Sequence, residues 1–294
     1  MDNRTAAYLL LALAAALFGV TFVAVKDALA LVPPLSFVGW RFLIGASVLL
    51  LVGRPRGRSV WMDGTLAGVA LFVGYATQTI GLDATSASNS GLITGLYVVF
   101  TPVLAAVFRK RAPSVSTVAG AAISVVGLAF LTLSDGLTLS PGDMWTLACA
   151  VAFAIHIVML ASLAPRHEVA GFTAVQLIVT AILALGFSAM IESAGFPPTG
   201  AWLTLLGTGI VVTCGAFLIQ VWSQTVIGPS RTAIILALEP VFAVATAAVV
   251  LGERLTARGW IGAALIMAGI YIVLVWAPPE DTDIRTAEAL SEAH

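Results

Sequence analysis

Two matching stretches decide the architecture of this chain: Gly120-Ala121-Ala122-Ile123-Ser124-Val125-Val126-Gly127-Leu128 and Gly262-Ala263-Ala264-Leu265-Ile266-Met267-Ala268-Gly269-Ile270. The second stretch follows the first by 142 positions, and the same offset separates Gln78 from Gln220. Similarity at one fixed offset is typical of a chain that contains two copies of one unit. The sequence therefore predicts a tandem repeat.

Ten long apolar runs account for almost the whole of the 294 residues. Hydrophobic residues make up 60% of the chain, charged residues make up 10%, and the mean hydropathy is +1.03, so the composition suits a lipid environment. A helix needs roughly 20 apolar residues to cross a bilayer, whereas a barrel strand would alternate polar and apolar residues. We expect membrane-spanning helices, numbered as spans 1 to 10, at 5–26, 34–52, 62–82, 87–108, 115–133, 143–163, 169–191, 200–226, 230–251 and 257–276.

The predicted fold is an all-α integral membrane protein whose ten transmembrane helices form two five-helix repeats. Residues 1–138 hold the first repeat and residues 139–277 hold the second. Because five is an odd number, the second copy enters the membrane from the opposite side, which gives the repeats inverted topology. Such repeats allow alternating access, in which the two halves exchange conformations around a central site. Residues 278–294 form an acidic cytoplasmic tail that we expect to be disordered.

The Lys and Arg residues predict the orientation of the chain. With the N-terminus placed inside, ten of the 14 Lys and Arg residues fall on the inner side and three on the outer side, while Arg41 lies within a span. Short cytoplasmic loops carry an excess of Lys and Arg. We therefore place the N-terminus and the C-terminus in the cytoplasm.

Three ionisable side chains lie well inside the predicted spans: Arg41, His156 and Glu239. Such groups are costly in hydrocarbon and are functional candidates by default. Arg41 either extends outward as an interface anchor or lines the pathway, alone or paired with Glu239. Glu239 either binds a substrate ammonium or carries a proton, or it has a structural role beside Pro240. His156 is either a packing residue or a group that bonds a carboxylate or carries a proton.

Neutral polar and aromatic side chains supply the other candidates for a substrate cavity. Tyr75 and Gln78 lie three residues apart in span 3 and therefore share one helical face. Gln220 and Trp222 lie in span 8, and Tyr97 lies in span 4. The alternative is that the polar groups bond neighbouring helices to each other, as is common in membranes.

Two prolines are predicted to bend their helices, Pro102 in span 4 and Pro240 in span 9. A proline inside a helix frees a backbone carbonyl, and broken helices at matching places in two halves are typical of a transporter's site. Ser88 to Pro102 and Ser230 to Pro240 differ in length by four residues, about one helical turn. The two prolines are therefore treated as corresponding positions.

The sequence predicts no catalytic residues, no metal site, no cofactor and no nucleic-acid partner. His and Cys residues are not at metal-ligand spacing, no Gly-rich phosphate loop is followed by Lys-Ser/Thr, and neither His-Glu-x-x-His nor Gly-x-Ser-x-Gly occurs. Cys149 and Cys214 lie within spans and are expected to be packing residues. An intramembrane enzyme that uses His156 with Glu239 is a distant alternative.

The chain resembles the drug/metabolite transporter superfamily, specifically its ten-helix EamA-type exporters. This resemblance covers residues 5–276, and its nearest group is the YddG-like exporters of aromatic and other neutral amino acids. It implies a multi-pass protein of the bacterial inner membrane. The matching stretches are Phe18-Gly-Val-Thr-Phe-Val-Ala-Val-Lys26, Trp40-Arg-Phe42, Thr85-Ser-Ala-Ser-Asn-Ser-Gly-Leu-Ile-Thr-Gly-Leu-Tyr97 with Thr101-Pro102, Glu239-Pro240 and Leu251-Gly-Glu-Arg-Leu-Thr256.

We therefore expect a secondary or facilitative transporter that exports small metabolites by alternating access. A zwitterion suits a cavity with one acid and one base, whereas a phosphorylated sugar would ask for several cationic residues. The resemblance favours neutral and aromatic amino acids as cargo, carried by a monomer or a homodimer. Broad export of drugs, nucleosides or other metabolites is the alternative. Proton antiport, exchange and uniport all stay open.

Overall fold

The structure is a computed structural model that describes residues 3–108, 114–132, 140–192, 195–227, 232, 235–236 and 238–276. The acidic tail predicted for 278–294 and Ser230, the predicted start of span 9, lie outside these residues. Every regular element within the described residues is a helix. This all-helical architecture agrees with the predicted fold class, because a helix satisfies its own backbone hydrogen bonds in lipid.

The α-helices follow one another with short connections. They are α1 (Asn3–Leu29), α2 (Pro34–Val52), α3 (Arg58–Ala84), α4 (Ala87–Thr94), α5 (Tyr97–Phe108), α6 (Val115–Thr132), α7 (Pro141–Leu163), α8 (Val169–Ile191), α9 (Trp202–Gly207), α10 (Phe217–Ile227), α11 (Glu239–Thr246) and α12 (Ala257–Trp276). A π-helical segment, Thr208–Ala216, joins α9 to α10, and a second one, Ala247–Leu251, follows α11.

Seven helical stretches of the described residues are long and apolar enough to cross a membrane. These are Asn3–Leu29, Pro34–Val52, Arg58–Ala84, Ala87–Val107, Pro141–Arg166, Val169–Ile191 and Thr199–Ile227. Shorter apolar helices at Val118–Leu131, Glu239–Leu251 and Ala257–Ile272 lie within predicted spans 5, 9 and 10. Helices α2, α8 and α12 begin and end at the residues predicted for spans 2, 7 and 10.

Short polar motifs fix where several helices begin. The Ser86 hydroxyl accepts a hydrogen bond from the Asn89 N–H at 3.0 Å ahead of α4, and the Ser140 hydroxyl accepts one from the Asp143 N–H at 3.1 Å ahead of α7. The first N–H groups of a helix have no intrahelical partner, so these serines satisfy groups that lipid could not. Helix α2 instead begins with Pro34, which has no N–H to satisfy.

Helices α6 and α12 pack against each other along the two stretches that repeat in the sequence. A β-carbon added to Gly127 would lie 2.7 Å from the carbonyl oxygen of Gly262, and one added to Gly262 would lie 2.7 Å from that of Gly127. A β-carbon at Gly269 would lie 2.5 Å from the carbonyl oxygen of Gly120. Small residues allow this close backbone approach between membrane helices. The repeated glycines therefore form the surface on which the two helices meet.

The helices of the two predicted repeats are interleaved. Helix α2 packs on α8, α4 packs on α11, and α6 packs on α12, so corresponding spans of the two copies meet in three pairs. Helix α3 packs on α7, and α1 packs on α10. These two contacts also correspond to each other. Helices α3 and α7 are spans 3 and 6, and their counterparts in the other copy are spans 8 and 1, which are α10 and α1. A central site can therefore draw side chains from both halves.

Gly127→Ala should destabilise the protein, and Gly186→Ala is its matched control. The new β-carbon at Gly127 meets a backbone atom, whereas Gly186 lies on an exposed face of α8 with no atom within 4 Å. Overpacking costs about 1–3 kcal/mol, which exceeds the roughly 1 kcal/mol that Ala gains over Gly in a helix. Thermal unfolding in detergent should show a lower melting temperature for Gly127→Ala only. Equal melting temperatures would contradict the close packing.

Candidate functional site

A buried cavity lies between helices of both predicted repeats. Its walls combine six aromatic rings with amides, hydroxyls, one guanidinium, one imidazole and one carboxyl group. The lining residues are Phe18, Thr21, Phe22, Val25, Arg41, Tyr75, Gln78, Thr79, Leu82, Tyr97, Phe153, His156, Ile157, Phe217, Gln220, Leu236 and Glu239.

Seven of the eight cavity residues predicted from the sequence line this space. They are Arg41, Tyr75, Gln78, Tyr97, His156, Gln220 and Glu239. The eighth, Trp222, is outside the lining and packs half-buried against the apolar core. The structure thus brings the seven side chains together, and their role in binding cargo stays a prediction.

Arg41 is buried and faces the inside of the molecule. Its side chain is 4% exposed, so the alternative in which it extends outward to the interface does not apply. Its Nε donates a 2.6 Å hydrogen bond to the Thr213 hydroxyl, and its guanidinium carbon lies 5.4 Å from the centre of the Tyr75 ring. The two terminal nitrogens have no hydrogen-bond partner among the described residues. This cation can therefore donate to an anion in the cavity.

Glu239 faces the same cavity from the start of α11. Its Oε2 accepts a 3.1 Å hydrogen bond from the Tyr97 hydroxyl, and that hydroxyl also lies 3.3 Å from the Leu236 carbonyl oxygen. The direct ion pair between Arg41 and Glu239 that the sequence left open is not formed; both residues are described, and no such contact lies within 4.0 Å. The cavity therefore presents a cation and a carboxyl group that do not pair with each other.

Tyr97 and Glu239 are separated by 142 positions, the offset of the sequence repeat, and they contact each other. The same offset relates Gln78 to Gln220, and both of these residues also line the cavity. Under the offset of 142, the counterpart of Pro240 is Val98 and not Pro102. The correspondence of Pro102 with Pro240 assumed an extra helical turn. It pairs two residues that both lie outside the cavity lining.

The helix that contains Pro102 begins after a turn, and the bend predicted at this proline stays a prediction. Pro102 is inside α5, and the helix is interrupted six residues earlier, at Gly95 and Leu96, between α4 and α5. Gly95 allows close packing at this point, because a β-carbon there would overlap the Pro240 ring. Pro240 itself is the second residue of α11, directly after a turn at Leu238. The two interruptions therefore fall 142 positions apart, at Leu96 and Leu238.

Aromatic rings connect the polar groups of the cavity. The ring of Tyr75 lies 5.1 Å from that of Phe153 and 6.3 Å from that of Phe217, and the ring of Tyr97 lies 6.4 Å from that of Phe153. The Phe217 ring lies 6.0 Å from the imidazole of His156. Such edge-to-face and tilted contacts are favourable arrangements of aromatic pairs. The cavity wall is therefore an aromatic surface that can pack against an apolar or aromatic group.

His156 is held from behind by a residue that the sequence analysis did not select. Its Nε2 lies 2.8 Å from Oε1 of Gln176 in α8, and both side chains are buried. A single glutamine inside an apolar run carries no signal of this contact, because only the tertiary arrangement, in which α7 and α8 both pack on α3, brings the two residues together. His156 and Glu239 both line the cavity, but each is bonded to a different partner, Gln176 and Tyr97.

The polar residues of α10 divide between the two interpretations that the sequence allowed. Gln220 lines the cavity, and its amide has no hydrogen-bond partner among the described residues. In contrast, the Ser223 hydroxyl donates to the Ala7 carbonyl at 3.5 Å, and Gln224 Nε2 donates to the Ile157 carbonyl at 3.2 Å. Ser223 and Gln224 thus bond neighbouring helices to α10, whereas Gln220 is available to a bound molecule.

No group of three or more His, Cys, Asp or Glu residues that could hold a metal ion occurs in the described part of the chain. Cys149 and Cys214 are both buried with free thiols, and Cys149 lies 4.0 Å from the Thr94 hydroxyl. The two cysteines therefore pack within the helix bundle as the sequence predicts.

The sequence model of the EamA-like transporter family matches this chain twice, over residues 5–133 and 140–275. The chain belongs to this family. The expected membership of the drug/metabolite transporter superfamily is therefore confirmed, and the protein is a multi-pass membrane transporter. The two matches divide the chain close to the predicted boundary at residues 138 and 139.

Two relatives and one solved structure show how far the likeness extends. An uncharacterized transporter of Archaeoglobus fulgidus is 34% identical over 271 residues, which cover 92% of this chain and 86% of that one. A probable amino-acid metabolite efflux pump of Salmonella typhimurium is 28% identical over 275 residues, which cover 87% of this chain and 90% of the pump. One crystal structure, at 20% identity, has a TM-score of 0.69 and covers 95% of this chain and 100% of its own. At that identity the likeness concerns the fold alone.

One end of the cavity in this EamA-like transporter is tied together by Lys26. Val25 and Leu82 line the cavity where α1 and α3 end. Directly beside them, Lys26 Nζ donates to the carbonyl oxygens of Leu82 at 2.7 Å, Asp83 at 2.9 Å and Thr85 at 2.9 Å. A cation at a helix C-terminus satisfies carbonyls that have no intrahelical partner. Lys26 therefore fixes the end of α1 to the end of α3.

Glu253 caps the start of the next helix, α4. Its two carboxylate oxygens accept hydrogen bonds from the N–H groups of Ala87 at 3.0 Å and Ser88 at 2.9 Å, at the start of α4. Gly252 ends the preceding helix with φ +65°, and its N–H donates to the Ala247 carbonyl. The left-handed region favours glycine, so the Gly-Glu order ends one helix and caps another. This gives a structural reason for a stretch that carries the family resemblance.

Lys26→Met should destabilise this EamA-like transporter, because three carbonyls at the end of α3 lose a charged donor. A hydrogen bond to a charged group contributes about 1.5–3 kcal/mol, so a clear decrease in melting temperature is expected. Asp27→Asn is the control, since that neighbouring side chain is exposed. The comparison is thermal unfolding in detergent. If Lys26→Met and Asp27→Asn melt with the wild type, Lys26 does not hold the helix ends together.

Proposed function

We propose that this transporter exports small zwitterionic metabolites, and that neutral and aromatic amino acids are its principal cargo. The observation that carries the proposal is that the Arg41 guanidinium and the Glu239 carboxyl group lie on the wall of one cavity and do not pair with each other. An amino acid carries the complementary groups, a carboxylate for Arg41 and an ammonium for Glu239. Hydrogen bonds between ionised groups in a water-poor site are the strong ones.

The rest of the lining supports a neutral side chain on the cargo. Apart from Arg41 and Glu239, the described lining residues carry amides, hydroxyls, one imidazole and apolar groups. Tyr75, Phe153 and Phe217 offer ring faces and edges to an aromatic group. A phosphorylated cargo would need several cations, and Arg41 is the only Lys or Arg in the described lining. The name of the Salmonella relative, an amino-acid metabolite efflux pump, points in the same direction.

The transport cycle is proposed to be alternating access between two inverted five-helix repeats, with both termini in the cytoplasm and the protein in the bacterial inner membrane. Three observations support the arrangement of two copies. The family model matches twice, corresponding helices pack against each other, and Tyr97 meets its counterpart Glu239 at the cavity. An exchange of conformations between the copies would open this cavity to one side and then to the other.

Uptake by sealed proteoliposomes that contain the purified protein tests the proposed function. Radiolabelled neutral, aromatic, acidic and basic amino acids are compared with a nucleoside and a cationic drug. Saturable uptake of neutral and aromatic amino acids, with exchange against unlabelled amino acid inside, supports the proposal. Uptake of the nucleoside or drug without the amino acids would favour the broad-exporter alternative.

Variants of the two charges should change cargo selection in opposite directions. Arg41→Gln should lower tryptophan uptake about 10- to 100-fold, the loss of one charged hydrogen bond, but should affect tryptamine, which lacks the carboxylate, much less. Glu239→Gln should lower tryptophan uptake similarly, but should affect indole-3-propionate, which lacks the ammonium, much less. The measurement is competition of each compound with labelled tryptophan in proteoliposomes.

The decisive result is that Arg41→Gln affects tryptamine least and Glu239→Gln affects indole-3-propionate least. Equal losses for all three compounds in both variants would indicate damaged protein, which the melting temperature reports separately. Full tryptophan uptake by a folded Arg41→Gln or Glu239→Gln variant would contradict the assigned contacts.

If transport is coupled to protons, Glu239 is the group through which coupling runs, because it is the only carboxyl group in the described cavity lining. A pH gradient across proteoliposomes should then stimulate tryptophan transport by the wild type. Glu239→Gln should exchange tryptophan between the two sides without any response to the gradient. A folded Glu239→Gln variant that keeps the wild-type response excludes Glu239 as the coupling group.

A further inference from the structure

The contact between His156 and Gln176 fixes the position of the imidazole ring and also which of its nitrogens carries the proton. Gln176 is fully buried in α8, and His156 is 1% exposed in α7. His156 Nε2 lies 2.8 Å from Gln176 Oε1, and Gln176 Nε2 donates to the Phe172 carbonyl at 3.3 Å. The three groups therefore form a short hydrogen-bonded chain behind the cavity wall.

The Phe172 carbonyl determines which way the Gln176 amide points. A carbonyl oxygen can only accept, so the group facing it must be the NH₂ of the amide. A reversed amide would direct its oxygen at the Phe172 oxygen and leave its NH₂ on His156. Only the observed orientation satisfies both contacts, and buried polar groups in lipid have no water to replace a lost partner. Gln176 therefore presents an acceptor to His156.

An acceptor at Nε2 determines the tautomer of the imidazole. Nε2 must carry the proton that it donates to Gln176 Oε1, so in the neutral ring Nδ1 carries a lone pair. His156 lines the cavity, and Nδ1 has no hydrogen-bond partner among the described residues. The imidazole therefore offers the cavity a neutral hydrogen-bond acceptor with a fixed direction.

This acceptor has an aromatic and amide neighbourhood. The Phe217 ring lies 6.0 Å from the imidazole, and both Ile157 and Gln220 also line the cavity. In contrast, the Arg41 guanidinium lies over Tyr75, and Glu239 is bonded to Tyr97. The ammonium and carboxylate of a zwitterion thus have their own partners, and His156 is left for a group on the cargo's side chain.

We propose that His156 is a specificity residue that selects cargo with a hydrogen-bond donor on its side chain, such as a phenol, an indole N–H or an amide. Gln176 is the positioning residue that keeps the acceptor directed at the cavity. The inference rests on the proposed transport of neutral and aromatic amino acids, which it deepens. Sites that bond a polar group of the ligand discriminate against the analogue that lacks it.

Tyrosine and phenylalanine differ by one hydroxyl and provide the test. Proteoliposomes with the wild type should prefer tyrosine by about 3- to 10-fold in apparent KM, the effect of one neutral hydrogen bond. His156→Phe, which keeps an aromatic ring but has no acceptor, should remove this preference, so that tyrosine and phenylalanine show similar apparent KM values. His156→Gln, which retains an acceptor oxygen, should restore part of it. Gln176→Met should lower the preference without changing the cavity wall.

A spectroscopic measurement examines the acceptor without reference to transport. In ¹⁵N-histidine-labelled protein in bilayers, the nitrogen chemical shifts distinguish the two neutral tautomers from the charged ring. The chain has three histidines, so His156→Gln assigns the His156 signals by difference. The wild type should show a protonated Nε2 and a bare Nδ1, and Gln176→Met should change this pattern.

The two measurements separate failure of this inference from failure of the proposed function. A protonated Nδ1, or equal tyrosine preference in the wild type and His156→Phe, would overturn the inference while leaving amino-acid transport in place. Absence of uptake of both amino acids by folded wild type would overturn the proposed function and the role of His156 with it, whatever the tautomer is.

Discussion

Hydrocarbon offers no water to a buried polar group, and the arrangement of polar side chains in this molecule depends on that constraint. Most such groups have a protein partner or face the cavity, although, within the described part of the chain, the hydroxyls of Ser90, Ser124 and Thr173 and the Oε1 atom of Gln224 are buried without one. Thr213 and Gln224 form contacts between helices, whereas Gln220 faces the cavity without a partner among the described residues. Polar groups that bond a neighbouring helix thus differ from polar groups that face the cavity. The cavity groups without a partner are the candidates for binding a molecule.

The centre of the site lies where the two predicted copies of the unit meet. Gln78 and Gln220 are identical at corresponding positions, but Tyr97 corresponds to Glu239, and these two side chains contact each other. Two carboxylates at corresponding positions would repel, and two tyrosines would leave the cavity without an anion. The combination of one donor and one acceptor allows a direct bond and still leaves one carboxylate oxygen for a cargo. Under the proposed function, the two corresponding positions therefore carry different and complementary groups.

The sequence predicted the all-helical class and the positions of seven long apolar helices, because apolar runs and turn residues are local signals. It also selected seven of the seventeen lining residues, since a polar group within an apolar run is conspicuous, but it did not select phenylalanines such as Phe153 and Phe217, which look like any other packing residue in such a run. It did not reveal Gln176 or the roles of Lys26 and Glu253, because each acts on a helix that is distant in the sequence. The close approach of the Pro240 ring to Gly95 was equally hidden. Contacts of this kind depend on tertiary proximity.

The separation of the two charges has a consequence for how such a transporter can work. Had Arg41 and Glu239 formed an ion pair, a zwitterion would first have to break a strong buried interaction before it could bind. Instead, the bond to Thr213 and the ring of Tyr75 hold the guanidinium, and Tyr97 holds the carboxyl group. These neutral partners are weaker than an opposite charge, so the guanidinium and the carboxyl group can each bind a further partner. A zwitterionic cargo can supply both of these partners, a carboxylate for Arg41 and an ammonium for Glu239. A cargo with a single charge can supply only one of them.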